Sequence, residues 1–256
     1  MGTKLFYVLL FITSCVFAQF PTNGLIAQYG FENGNLLVDG ANGQNFTQTG
    51  TALVEINDRF GNPPSSAITL NGDYLKRSDL SFGDYVSYSF WIKTSSSSTT
   101  RKVIIDDSNR NQTNASTWVG TRISELNGIV RASIRYRWRD SAGGLTYDGI
   151  SATSTTDISD GKWHHIVVLI ESRTFAGSSN FGTRSSIEVF IDKQADGAAN
   201  RQRNRASFSQ RINVNGDVTI ANDRTNTLSN AERYDGSIDD ILIYGRKLNT
   251  TEIQSI

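Results

Sequence analysis

After Gln19 the chain shows short apolar runs separated by Gly, Asn, Asp and Ser, with no sustained 3.6-residue period. The clearest runs are Leu25–Phe31, Ala67–Leu70, Val86–Lys93, Lys102–Ile105, Val130–Trp138, His164–Ile170, Ile187–Asp192, Val218–Ile220 and Ile238–Tyr244. Runs of this length, bounded by turn formers, predict the strands of an all-β sandwich or barrel. Two of them alternate. Tyr88, Phe90 and Ile92 fall on one face, and Ser87, Ser89, Trp91 and Lys93 on the other. Further on, Ala132, Ile134, Tyr136 and Trp138 share a face opposite Arg131, Ser133, Arg135, Arg137 and Arg139. Successive side chains on a strand point to opposite faces, so one set is predicted to pack between sheets and the other to meet solvent or ligand.

The stretches between runs predict loops at Ser95–Thr100, Asp106–Ser116, Phe175–Ser186 and Ala195–Ser207. None is long enough for an interdomain linker, and no internal repeat is visible. The predicted organisation is one domain over residues 19–256. Near the end, Asn249 with Glu252 three positions later predicts a capped helical turn. The sequence stops soon after, as it would in a module taken from a longer protein.

The first eighteen residues stand apart. Lys4 precedes the apolar run Leu5–Ile12, and Val16-Phe17-Ala18 offers a small residue for cleavage before Gln19. This predicts a cleaved secretory signal and a secreted or cell-surface protein. The run falls short of the roughly 20 residues of a membrane helix. Ile12-Thr13-Ser14-Cys15 also resembles a bacterial lipobox, which would instead lipidate Cys15 and anchor the protein. Cys15 is the only cysteine, so cleavage at Ala18 leaves a mature domain without disulfides; its length supports a sufficient core without them.

Of the 256 residues, 38% are hydrophobic and 20% charged, which permits a packed core. Lys+Arg and Asp+Glu both number 25, which argues against a nucleic-acid-coating protein. Arg outnumbers Lys 18 to 7, and Arg is the better bidentate reader of carboxylate and sulfate. Sequons at Asn45, Asn111, Asn114 and Asn249 carry weight only in a host that glycosylates them.

Five segments occur in the order found in bacterial laminin-G-like domains. They are Gly24–Gly34 with Val38–Gly43, Ala67–Leu75, Tyr88–Thr94, Asp160–Val167, and Asp235–Leu248 followed by Glu252-Ile253. Asp-Gly-Lys-Trp-His-His at 160–165 and Ile-Asp-Asp at 238–240 with Tyr244 are the most specific. On these motifs the chain resembles that family over nearly all of its mature length. The resemblance implies a two-sheet antiparallel jelly-roll β-sandwich of the concanavalin A-like kind, and carbohydrate or protein binding.

Candidate chemistry is sparse. His164 and His165 are neighbours on a strand and are expected to point to opposite faces in structural roles. The Glu-x-Asp-x-x-Glu strand of sandwich glucanases is absent, and no other carboxylates pair at glycosidase spacing. Asp239 and Asp240, as strand neighbours, are expected to face opposite ways. No nucleophilic Ser or Cys motif occurs. Calcium takes six to eight oxygens, and Glu32, Asn33, Asp39 and Asn42 in the opening loop offer them alongside Asp239 and Asp240. In such jelly rolls the first and last strands run close together, which would let these groups hold a structural Ca²⁺. The other reading makes Asp39 and Asn42 turn residues and Asp240 a hairpin residue. Arg131, Arg135, Arg137 and Arg139 form a basic ladder suited to uronate or sulfate groups, with Trp118 and Tyr147 as stacking faces. Arg201, Arg203 and Arg205 repeat that spacing in a predicted loop. The plain alternative is a solvated strand face paired with acidic neighbours. The function expected is a secreted, non-catalytic binding module for a polysaccharide or glycan, the acidic kind being suited to the arginine ladder. The alternatives are a cell-surface adhesion or protein-interaction module and, with the missing carboxylate pair counting against it, a polysaccharide hydrolase or lyase. Neither nucleic-acid binding nor a membrane span is expected.

Overall fold

The computed structural model describes residues 20–50, 53–62, 66–80, 82–108, 120–139, 145–176, 181–205, 216–223 and 228–256. The strands are β1 (Leu25–Tyr29), β2 (Thr47–Thr49), β3 (Val54–Ile56), β4 (Ala67–Thr69), β5 (Tyr74–Leu80), β6 (Tyr85–Lys93), β7 (Lys102–Asp106), β8 (Gly120–Leu126), β9 (Ile129–Arg139), β10 (Leu145–Asp157), β11 (Trp163–Ala176), β12 (Phe181–Ile191), β13 (Gln194–Arg205), β14 (Gly216–Ile220) and β15 (Ser237–Tyr244). One helix, α1 (Thr250–Ser255), follows them.

The strands form two antiparallel sheets. An eight-stranded sheet runs β13-β12-β11-β6-β15-β4-β3, with β1 also paired to β15. A seven-stranded sheet runs β10-β9-β8-β7-β14-β5-β2. Alternation decides what fills the space between them. Tyr88, Phe90 and Ile92 of β6 join Ile123 of β8 and Ala132 and Ile134 of β9 in one buried cluster. At about 25 cal/mol per Å² of apolar surface, burial of this kind is the main force holding the sheets together. Arg131, Ser133 and Arg135 take the opposite face of β9 and stay half-exposed.

The outer face of the eight-stranded sheet has its own apolar cluster, in which Val167, Leu169, Phe190 and Leu242 meet Leu248 and Ile253. Helix α1 covers this cluster and starts as expected: Asn249 Oδ1 accepts from Glu252 N at 3.0 Å, while Glu252 Oε2 accepts from Asn249 N at 2.8 Å.

Two predicted loops are strands. The stretch Phe175–Ser186 spans the end of β11 and the start of β12, and most of Ala195–Ser207 lies in β13. These strands pair consecutively, with Ser172 opposite Ser185 and Ser185 opposite Arg201. A ladder needs backbone groups rather than apolar side chains, so its polar extension leaves no hydrophobic period to read. The short or polar strands β2, β3, β5, β8 and β10 were not among the predicted runs for the same reason. Of the predicted loop Asp106–Ser116, Asp106 closes β7, and 109–116 lie outside the described residues.

The free edges of the two sheets meet where β13 lies against β10. Asp196 accepts from Thr156 N at 3.0 Å and Thr155 N at 3.1 Å. A Cβ at Gly197 would stand 2.4 Å from Thr153 O, so this backbone approach requires glycine. Among the described residues no helix is long and apolar enough to cross a membrane. The proposed signal, with Lys4, Cys15 and Ala18, lies outside the described residues.

Candidate functional site

The meeting of β13 with β10 builds one wall of a cleft of about 620 Å³. Its polar lining comes from Arg131, Ser133 and Arg135 on β9, Asp148 and Ser151 on β10, and Arg201 on β13. Register explains the grouping, since Arg135 pairs with Gly149, Ser133 with Ser151 and Arg131 with Thr153. Arg131 Nη2 donates to Ser151 Oγ at 3.1 Å, and the Ser133 and Ser151 hydroxyls are 2.9 Å apart. Arg201 Nη1 donates to Gly149 O at 2.8 Å and pairs with Asp148. Three guanidinium groups and two hydroxyls around one carboxylate give an electropositive, hydrogen-bonding lining, and the volume suits a small ligand or part of a chain.

Two residues of the predicted ladder, Arg131 and Arg135, therefore line the cleft. Arg137 and Arg139 continue β9, paired with Tyr147 and Leu145; the side chains of Arg137, Arg139 and Tyr147 lie outside the description, as does all of Trp118. Arg201, whose alternate spacing with Arg203 and Arg205 resembled the ladder, reaches the cleft from a strand rather than a loop. Asp148 was not foreseen; a lone acid beside Tyr147 carries no signal in the sequence.

Of the six oxygen-bearing residues considered for calcium, the side chain of Asn33 lies outside the description and the other five separate into two places. Asp39 is buried, accepting from Arg77 Nη1 at 2.6 Å, Gln28 N at 2.8 Å and Ala41 N at 2.9 Å. Asn42 Nδ2 donates to Ile26 O at 2.7 Å, which uses its amide as a donor. Glu32 lies near Asp240 and Asp58 instead. Burial, with the charges of Asp240 and Asp58 close by, raises the Glu32 pKa.

Asp239 and Asp240 do not face opposite ways. Asp240 takes φ 45°, and the β15 register against β6 shifts between Asp239 and Leu242. This bulge turns both carboxylates toward Arg59, whose Nη1 donates to Asp239 Oδ2 at 3.3 Å and also to Asp240 Oδ2. Arg59 thus stands where a cation would neutralise the pair. Among the described residues no three His, Cys, Asp or Glu side chains converge as a metal site. The donor set as placed does not fit one calcium sphere. Burial and the adjacent Asp240 charge raise the Asp239 pKa against the opposing pull of Arg59.

The two histidines point to opposite faces. His164 is hydrogen-bonded to Asp192 at 2.8 Å and Asp160 at 3.0 Å. His165 is fully buried, stacks on Trp91 with ring centroids 4.9 Å apart, and sits 2.8 Å from Ser89 Oγ. Arg59 also lies over the Trp91 ring, 4.7 Å from its centroid. These contacts tie both rings into the scaffold.

A family model described as the concanavalin A-like lectin/glucanases superfamily matches residues 69–254. No curated protein matches the chain. Among solved structures, the binding domain of botulinum neurotoxin serotype C1 is similar at 15% identity and a TM-score of 0.51, covering 91% of this chain and 51% of that one. Trypanosoma rangeli sialidase in complex with 2,3-difluoro-KDN is similar at 12% identity and a TM-score of 0.53, covering 92% of this chain and 32% of that one. The chain thus spans about half of the toxin domain and a third of the sialidase, and at these identities the likeness is one of fold.

Proposed function

We propose that this chain, which belongs to the concanavalin A-like lectin/glucanases superfamily, is a secreted, non-catalytic module that binds an acidic polysaccharide at the β9–β10–β13 cleft. The observation that carries this reading is the convergence of Arg131, Arg135 and Arg201 on one cleft beside the Ser133 and Ser151 hydroxyls. A guanidinium presents a planar fork of donors that matches a carboxylate or sulfate, while serine hydroxyls suit sugar hydroxyls. Asp148 pairs with Arg201 and holds it against β10, so the arginines line a preformed wall. The acidic groups considered for calcium are instead paired with arginines, Asp239 and Asp240 with Arg59 and Asp39 with Arg77.

The test is a binding screen of the mature chain against alginate, pectin, sulfated polysaccharides and neutral glycans, with calcium and again with EDTA. Acidic glycans are expected to bind, and Arg135→Ala or Arg201→Ala to weaken them by about tenfold each. Binding confined to neutral glycans would overturn the acidic reading. No glycan bound in either condition would overturn glycan binding altogether and favour a protein partner on the cell surface.

A further inference from the structure

The cleft does not account for all the positive charge on this face of the seven-stranded sheet. Arg101 lies just before β7, and its Nη1 donates to Ser124 Oγ at 3.2 Å. Ser124 on β8 pairs with Arg131 on β9, and its hydroxyl donates to Arg131 O at 3.4 Å. The Arg101 guanidinium is therefore anchored beside the Arg131 backbone, while the Arg131 guanidinium reaches Ser151 on β10. Burial, and then the positive charges of Arg131 and Arg122, pull the Arg101 pKa down.

The charges are balanced unevenly. Arg122 is held by Asp106, its Nε donating to Oδ2 at 2.6 Å. Arg101 and Arg131 have no carboxylate partner among the described residues; their side-chain bonds go to Ser124 and Ser151. Arg131 Nε is buried without a hydrogen-bond partner. Like charges held together with neither a counter-ion nor a full set of acceptors favour the arrival of an anion.

We propose that Arg101, anchored on Ser124 next to Arg131, forms a second anion subsite beside the cleft with Arg131 shared between the two, and that the ligand is a glycan bearing negative groups on successive sugars. This inference rests on the glycan reading above. Arg101 is anchored over Ser124 on β8 and Arg201 over Gly149 on β10, two strand spacings across and four residues along, so the anchors are about 17 Å apart. A chain running diagonally over the strands would meet Arg101 at one end and Arg201 at the other, with Arg131 between. A glycan with a single terminal acid would use only one of the two places. Carboxylate and sulfate share the chemistry required, so both are tested.

The experiment is calorimetric titration of the mature chain with oligogalacturonates and heparin-derived oligosaccharides, each as a disaccharide and a hexasaccharide. In the unmodified protein the hexasaccharide of at least one series is expected to bind about tenfold tighter than its disaccharide. Arg101→Ala is expected to remove that advantage, and Arg101→Lys to keep part of it because the charge remains. Circular dichroism melting of both variants establishes that they fold. If acidic oligosaccharides bind and Arg101→Ala retains the full length advantage, the second subsite is wrong while the cleft stands. If no acidic oligosaccharide binds the unmodified protein, both readings fall.

Discussion

Arg77 on β5 and Asp39 in the loop after β1 form an ion pair inside the sandwich, Nη1 to Oδ2 at 2.6 Å, with both side chains almost wholly buried. Asp39 also accepts from the backbone of Gln28 and Ala41, and Arg77 donates to Tyr29 Oη at 2.9 Å. The pair therefore fixes the opening loop against the seven-stranded sheet. Removing one partner leaves the other buried and charged, which costs about 3–5 kcal/mol. Arg77→Ala is expected to lose about that much in urea unfolding. A loss below about 1 kcal/mol would show that the loop is held by its backbone bonds alone.

The adjacent histidines titrate in opposite directions. Burial lowers His164, but the hydrogen bonds and charges of Asp192 and Asp160 outweigh it and raise the pKa above 6.5. Burial, with Lys193 and Arg59 nearby, pushes His165 down to about 4 against the smaller pull of Asp192. These are the only two histidines, so a proton NMR titration resolves them, with one midpoint expected above 6.5 and one near 4. Two midpoints near 6.5 would contradict both environments.

The two shifts have opposite consequences for stability. His164 stabilises the fold below its unfolded pKa, and this contribution fades as pH rises through its folded value. His165 stays neutral in the fold while the unfolded chain takes up a proton, so stability is lost as pH falls from about 6.5 toward 4. That loss is about 3 kcal/mol at most. His165→Gln is expected to flatten this acid limb in urea unfolding at pH 7 and pH 5. A limb as steep as that of the unmodified protein would place the proton uptake elsewhere.

Gly236, before β15, has no room for a side chain. A Cβ there would lie 2.6 Å from Lys93 O and 2.3 Å from Tyr234 Oη. Tyr234 is buried and its hydroxyl donates to Lys93 O at 3.2 Å, so neither neighbour gives way easily. Gly236→Ala is expected to lose about 1–3 kcal/mol, read as a drop in Tm. An unchanged Tm would mean that the β6–β15 junction relaxes without cost.

Arg59 is the counter-charge of Asp239 and Asp240. Its removal leaves two neighbouring carboxylates without one. Arg59→Ala is expected to lower Tm, and calcium is expected to restore part of that loss in the variant while leaving the unmodified protein unmoved. A Tm of the unmodified protein that rises with calcium and falls with EDTA would show that an ion, rather than Arg59, neutralises the pair.

Much of the architecture was legible along the chain. Strands such as β6 and β9 carry their own alternation, and the inward set of Tyr88, Phe90 and Ile92 is the set that packs between the sheets. The polar strand β13 was not legible, because its place depends on pairing with β12 and on resting against β10. Half of the cleft could be read on β9 as Arg131 and Arg135. Arg201 and Asp148 could not be assigned to it, because only the meeting of the sheet edges brings them there.

The sequence by itself determined that the chain is all-β and which face of β9 is basic, because a period of two is a property of each strand alone, while the sandwich was implied by the resemblance of its motifs. The tertiary structure alone decided that Arg201 reaches the cleft, that Arg101 is anchored on Ser124 beside the Arg131 backbone, and that Asp39 is paired with Arg77. It also decided that Asp239 and Asp240 share one arginine, through a left-handed residue at Asp240 that breaks the alternation. Register, bulges and the meeting of edges are set by packing between distant segments, and no local pattern encodes them.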